Sequence, residues 1–206
     1  MTDHFGNPLL EQRKLLAGEA FVQRSDQGVI EIVGSDAKSW LHSLLSQNIL
    51  NLESGMSTEA LLLTPQGHVE QQLKIIATDQ GVLVIVAASK LEAMLAWLTK
   101  MIFRSKVDVS KRKDLVCIGG FFDFDEPFWV DGFSLESKFS VRYAESREEF
   151  AYREYLTDSV PTDLAPAGLL AYQALRIAVG RPEIDDIDIR SLPHEFDWLS
   201  SAVHMS

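Results

Sequence analysis

Apolar residues recur along the chain with two periods, and the switches between them mark its elements. Gly28 is a turn signal, and Val29-Ile30-Glu31-Ile32-Val33 after it reads as a mostly buried strand. Gly34-Ser35-Asp36 ends that strand and offers Ser35 or Asp36 as a helix N-cap. Behind the cap, Trp40, Leu41, Leu44, Leu45 and Ile49 follow at helical spacing. Residues 60–64 form a short apolar strand stopped by Thr64-Pro65-Gln66-Gly67, a sequence that suits a type I turn and a hairpin. Two further strands, 69–77 and 82–87, flank a turn at Asp79-Gln80-Gly81. Ser89-Lys90-Leu91-Glu92 has the spacing of a capping box. Leu91, Met94, Leu95, Leu98, Met101 and Ile102 share one face of the helix that follows, and a strand over 103–109 closes the unit. The predicted order, β-α-β-β-β-α-β, puts two helices on one side of a mainly antiparallel sheet. That is an α+β arrangement, a ferredoxin-like plait with one additional strand.

Lys111-Arg112-Lys113-Asp114 marks a surface boundary and reads as a solvated turn. Residues 115–122, 128–130 and 139–143 read as short strands between Asp, Glu, Pro and Gly turns. Ser146-Arg147-Glu148-Glu149 is a second capping box and predicts a helix to about Leu156. Pro166 suits the first turn of a helix ending near Gly180. On that helix Leu169, Leu170, Gln173, Ala174 and Ile177 are expected to face inward, with Tyr172 and Arg176 one turn apart on another face. Residues 5–20 suit a short helix or a surface arm. The expected organisation is a first lobe with an N-terminal arm over 1–110 and a smaller α+β lobe over 111–160. A helix and an acidic tail over 161–206 then return to the first lobe.

Composition narrows the function classes. With 206 residues, 46% apolar and 24% charged, the chain suits one domain or two small lobes and is not a disordered polymer. Its 19 basic and 30 acidic side chains give a net charge of −11, a field that repels phosphate backbones and argues against nucleic-acid partners. Cys117 is the single cysteine, so an intrachain disulfide and a multi-cysteine metal site are excluded. No apolar stretch is long enough for a bilayer, and Met1-Thr2-Asp3-His4 lacks the features of a secretory leader. A cytosolic protein with no membrane partner is expected.

The histidines lie far apart, without His-x-Glu or His-x-x-x-His pairs, so no metal site is expected. Glu183-Ile184-Asp185-Asp186-Ile187-Asp188 lacks the glycine and terminal glutamate of a calcium loop and reads as a solvated acidic loop. Ser-x-x-Lys occurs at Ser35 and Ser110, where a helix cap and a charged turn explain it. Gly-x-Ser-x-Gly, Gly-x-Gly-x-x-Gly and Walker loops are absent, which leaves hydrolase, dinucleotide and kinase readings unsupported. Cys117, between Val116 and Ile118, reads as an inert core thiol. The aromatic residues from Phe121 to Phe133 alternate with acids, which is wrong for nucleic acid and suits the core of the second lobe. Tyr172 and Arg176 keep chemical interest. A ring beside a guanidinium can hold a flat ligand with a carboxylate tail, or be a plain surface stack.

Three separated segments carry a resemblance. The first is His4-Phe5-Gly6-Asn7-Pro8 with Glu11-Gln12-Arg13. The second runs from Val33-Gly34-Ser35-Asp36-Ala37-Lys38-Ser39-Trp40-Leu41-His42 to Gln47, then Leu63-Thr64-Pro65-Gln66-Gly67-His68-Val69. The third is Ala174-Leu175-Arg176-Ile177, Gly180-Arg181-Pro182, Leu192-Pro193-His194-Glu195 and Ala202-Val203-His204. In this order they resemble the YgfZ-type folate-binding branch of the glycine-cleavage T-protein superfamily. The resemblance implies ferredoxin-like plaits of the T-protein fold around a folate cleft, with tetrahydrofolate or a derivative as cofactor. It further implies a role in iron–sulfur cluster assembly or repair, with iron–sulfur client proteins as partners.

The family's Lys-Gly-Cys-Tyr-x-Gly-Gln-Glu hallmark and C-terminal β-barrel would follow His204, and the expectation is that a chain ending at Ser206 lacks both. By the same resemblance Tyr172 falls where relatives place an aromatic that packs on folate, and Gln71, Arg176 and Gln66 are neighbours of the cleft. Aminomethyltransferases carry an Asp-Asp pair where Gln71-Gln72 stands, and a pterin-contacting glutamate where Ala178 stands. A neutral amide orients a ligand but neither stabilises positive charge on a folate nitrogen nor moves a proton. The function expected is a tetrahydrofolate-binding accessory protein. The alternatives are an aminomethyltransferase of glycine cleavage and a non-catalytic interaction fragment of the same fold.

Overall fold

A computed structural model describes residues 2–132 and 150–204. The chain opens with helix α1 (Pro8–Leu16) and strand β1 (Ala20–Gln23). Asn7 caps α1 by accepting the Leu9 and Leu10 amides, and Pro8 sits where a missing amide costs nothing. There follow β2 (Gln27–Val33), α2 (Ala37–His42), β3 (Ser57–Leu63), β4 (Val69–Ala77), β5 (Gly81–Ala87), α3 (Leu91–Lys100) and β6 (Asp108–Arg112). Their strands form an antiparallel sheet in the order β3-β4-β5-β2-β6, so the predicted β-α-β-β-β-α-β unit is present. β5 is buried along its whole length because it lies between β4 and β2 with both faces covered. On one face α2 and α3 pack Trp40, Leu41, Met94 and Leu98 over Leu73 and Val84. On the other, Val29, Ile76, Leu83 and Ile85 meet a second sheet.

That second sheet joins β1 to β7 (Val116–Gly120), β8 (Phe128–Val130), β9 (Arg153–Thr157) and β10 (Ala165–Ala167), in the order β10-β1-β7-β9-β8. Cys117, Trp129 and Leu156 face the first sheet. Helix α1 and helix α4 (Leu169–Ala178) add Leu15, Ala171 and Leu175 to a neighbouring core. The far side carries Phe21, Ile118 and Tyr155 beneath Phe122, Phe124 and Phe128, so the described part of the aromatic run is core, as expected.

Several elements differ from the sequence expectation. The closing strand is β6, not 103–109, and it takes Lys111 and Arg112 out of the expected turn. Ion pairs with Glu92 and with Glu31 and Asp114 keep those cations on a sheet edge. Helix α2 stops at His42, and its N-cap Asp36 spends its carboxylate on the Lys106 amide at 2.8 Å instead of capping. Ser89 does not cap α3, whose N-cap position is Lys90. The helix expected to reach Leu156 is overturned over Arg153–Thr157, where Glu154 and Leu156 point inward and Tyr155 outward, the period of a strand. The capping box at Ser146, the strand over 139–143 and Phe133 lie outside the described residues.

Pro166 belongs to β10, an edge strand that tolerates a missing amide, and α4 begins only after Gly168. The orientation of α4 is also reversed. Ala171, Tyr172, Leu175 and Arg176 are buried, while Leu170, Ala174 and Ile177 are exposed. The reason is electrostatic, and it lies in what surrounds Arg176.

Candidate ligand site

Along β4 successive side chains alternate between the sheet faces. Leu73 and Ile75 join the helix-side core, while Ile76 faces the second sheet together with Lys74, whose Nζ donates to Glu154 of β9 at 2.7 Å. Around that contact lies a layer of paired charges. Arg24, fully enclosed after β1, donates to Glu154, to Asp26 at 2.8 Å and to Glu183 at 2.7 Å. Arg176 donates to both Asp186 oxygens at 2.6 and 3.1 Å and stands 3.4 Å from Glu183. Arg181 donates to Glu59 at 2.7 Å and to Asp131 at 2.8 Å. The Tyr172 hydroxyl donates to Glu183 at 2.8 Å, and its ring lies 4.1 Å beneath the Arg24 guanidinium. A buried charge is costly alone and tolerable when paired, so these partners let α4 turn Arg176 inward.

Burial by itself raises the Glu183 carboxyl, but Arg24, Lys74 and Arg176 outweigh it and hold the group well below the ordinary carboxylate range. Burial, and then Glu183, push the Tyr172 hydroxyl up. The Cys117 thiol is likewise pushed up by burial, which keeps it protonated and inert. A carboxylate depressed in the folded state adds stability that is complete above its unfolded pKa of about 4.3 and is lost as pH falls towards the folded value. The urea midpoint is therefore expected to drop between pH 5 and pH 3, and to drop less in Glu183→Gln. Equal slopes for the two proteins would remove Glu183 as a source of acid lability.

The ion pairs fix the tail. Arg181, Glu183 and Asp186 bind it to the inter-sheet layer, and the Glu183 amide donates to Asp186 at 2.8 Å to close a 3₁₀ turn over Ile184–Asp186. The acidic run is thus not wholly solvated as expected, because Arg24 and Arg176 engage two of its carboxylates. Further on, the Val69 amide donates to the Ser191 carbonyl at 2.9 Å. Helix α5 (Trp198–Ser201) then packs Trp198 with Leu61 and Val69.

Between these anchors residues 184–189 form a strap whose Ile184, Ile187, Asp188 and Ile189 line, with residues of β3, β4 and α3, a cavity of about 570 Å³. Leu62, Met94, Trp97, Ile184 and Ile187 supply apolar walls. Gln71 reaches it from the helix-side face of β4, with a buried Oε1 that has no partner among the described residues. Glu70, Lys90 and Asp188 are exposed around it.

The four residues singled out from the sequence are not gathered around this cavity. Gln71 lines it. Tyr172 and Arg176 belong to the ion-paired layer, and Tyr172 is only 2% exposed, with Arg24 on its ring and Tyr152 at 4.7 Å. Arg24, not Arg176, makes the ring–guanidinium stack. Gln66 is exposed at the tip of the β3–β4 hairpin, where Gly67 takes φ 85° and its amide donates to Thr64 at 2.9 Å. The sequence reading missed Trp97 and the strap isoleucines. Their signal was present: Met94 and Trp97 lie three apart on α3, and Ile184 and Ile187 interrupt the acidic run. Among the described residues no cluster of His, Cys, Asp and Glu is arranged for a metal, and no helix is long and apolar enough to cross a membrane.

Comparison with known proteins gives consistent matches. An aminomethyltransferase of Chromobacterium violaceum is 31% identical over 121 residues, which is 57% of this chain and 33% of that protein. One of Nitrosococcus oceani is 26% identical over 117 residues, 56% of this chain and 32% of that protein. The chain therefore spans about a third of the curated relatives it matches. A crystal structure of the glycine cleavage system aminomethyltransferase from Bartonella henselae superposes with a TM-score of 0.69 at 16% identity, covering 91% of this chain and 58% of that one. The fold is thus shared, and the matched stretch is homologous to aminomethyltransferases. No protein-family model matches the chain.

Proposed function

We propose that this homologue of aminomethyltransferases holds a reduced folate in the cavity beneath residues 184–189. The observation that carries the reading is an apolar cavity of about 570 Å³ lined by Gln71, whose buried Oε1 has no partner among the described residues. A pterin is flat and has an amide-like edge. Trp97 and Ile187 offer faces for the ring, Gln71 accepts from its edge, and Lys90 meets the carboxylates of the tail. Tyr172 and Arg176 serve this site indirectly, by holding the strap through Glu183 and Asp186. Gln66 is a residue of the adjoining hairpin tip.

For the chemistry, aminomethyl transfer to tetrahydrofolate is the reading the relatives favour. Because the chain spans about a third of their length, the activity is itself a proposal. The second reading is a folate-binding accessory role towards iron–sulfur proteins. It is favoured by Gln71 and Gln72, which by the resemblance stand where aminomethyltransferases carry an acidic pair and which cannot carry a proton. Calorimetric titration with 5-formyltetrahydrofolate tests the common core of both, and saturable one-to-one binding is expected. Folate-dependent ammonia release from an aminomethylated lipoyl carrier separates them, since the accessory role predicts none.

Gln71→Leu is expected to shift stability and affinity in opposite directions. Removing a buried acceptor without a partner stabilises the free protein by about 1 kcal/mol, and losing the edge contact weakens folate by about tenfold. Thermal unfolding and titration of the same preparation check both signs. Unchanged affinity would take Gln71 out of the site.

A further inference from the structure

Gln71 and Gln72 are adjacent in sequence and face opposite sides of β4, so the amide pair divides into two roles. Resting on the reading of the cavity as a folate site, we infer that Gln72 is a positioning residue: it sets the 184–189 strap, and through it the shape of the cavity, without touching the ligand. The strand register places Leu61 opposite Gln72 and Glu59 opposite Lys74, which makes Glu59 and Gln72 diagonal neighbours on one face. Gln72 Nε2 donates to Glu59 Oε1 at 2.5 Å, and Gln72 Oε1 accepts the Ile184 amide at 3.1 Å. Glu59 also accepts from Arg181 at 2.7 Å and from the Ser201 hydroxyl at 3.0 Å. One side chain, 6% exposed, therefore ties the first wall residue of the strap to anchors that precede and follow it in the chain.

An amide suits this place because it has both a donor and an acceptor. A carboxylate at position 72 keeps the acceptor for Ile184 but sets one anion against Glu59, and like charges in a buried site repel strongly. Glu59 and Gln72 are in this sense an exchangeable pair. One amide facing one carboxylate holds the strap, and two carboxylates release it.

The test uses Gln72→Glu, Gln72→Met and the exchanged double variant Gln72→Glu/Glu59→Gln. Hydrogen exchange over 183–191 is followed in the ligand-free proteins, and 5-formyltetrahydrofolate is titrated into each. Gln72→Glu is expected to speed exchange over 183–191 by about tenfold or more, with β5 and α3 unchanged, and to weaken the folate by a similar factor. Gln72→Met, neutral and of similar length, speeds the same exchange without adding charge. The double variant recovers most of both quantities, which a general loss of packing would not do. Unchanged exchange over 183–191 in Gln72→Glu, or no recovery in the double variant, overturns the inference. If the unaltered chain fails to bind the probe, the folate reading falls, and the exchange comparison still decides the role of Gln72.

Discussion

Replacing Arg24 by methionine is expected to cost about 3–5 kcal/mol of folding stability, the scale of breaking a buried ion pair from one side. Among the described residues Arg24 is the one side chain that reaches Glu154, Asp26 and Glu183 together, and it also covers the Tyr172 ring. Methionine restores much of the volume, so what remains is charge. Lys74 still faces Glu154 and Arg176 still approaches Glu183, but the guanidinium that joins β1, β9 and the tail is gone. Urea unfolding at pH 7 gives the loss directly. The cause shows in the pH dependence. As pH falls below about 4, the stranded carboxylates take up protons more readily than in the parent, and the difference between the two proteins shrinks. A double variant with Glu183→Gln should cost less than the sum of the single changes, because one removes the other's reason for cost. A loss below 1 kcal/mol at pH 7 would mean that the layer is held by packing and not by its ion pairs.

That same layer explains which parts of the molecule are legible in the sequence. β5 and the β3–β4 hairpin are plain because local pattern and tertiary context agree. Residues 82–87 are apolar without a break and become a central strand, and Thr64-Pro65-Gln66-Gly67 supplies the turn its glycine requires. The helix at 169–178 is visible by its period, but its buried side is not, since Leu170 and Ile177 look like core while Tyr172 and Arg176 do not. Only the distant partners Arg24, Glu183 and Asp186 make the polar side the inner one, and no local pattern encodes a pairing across 152 positions of the kind that joins residues 24 and 176 through Glu183. β9 is hidden for a related reason: Glu154 breaks its apolar alternation, and two cations distant in sequence, Arg24 just after β1 and Lys74 of β4, accept it into the core. The ligand cavity is the least legible feature. Its floor is marked by Gln71, but its roof is a tail without periodicity, placed by hydrogen bonds to residues far back in the chain.

Trp198→Ala puts that roof to the test. Trp198 is fully buried with Leu61, Val69 and Ala202, and its ring centroid lies 5.7 Å from that of Phe196. Deleting the indole leaves a large void at the edge of the first sheet, and a loss of about 3–5 kcal/mol is expected. Trp198→Phe should cost much less, about 1–2 kcal/mol, because the ring still fills most of the site and the indole N–H has no partner among the described residues to lose. The two variants also differ in function. The strap over 184–189 is held at one end by ion pairs with Arg24 and Arg176 and at the other by the docked tail, so alanine frees one end and phenylalanine does not. Affinity for 5-formyltetrahydrofolate is accordingly expected to fall by tenfold or more in Trp198→Ala, at a temperature where it remains folded, and to stay near the parent value in Trp198→Phe. Full affinity in the alanine variant would show that the ion-paired end alone holds the strap in place, and would move the whole burden of positioning onto Gln72, Glu183 and Asp186.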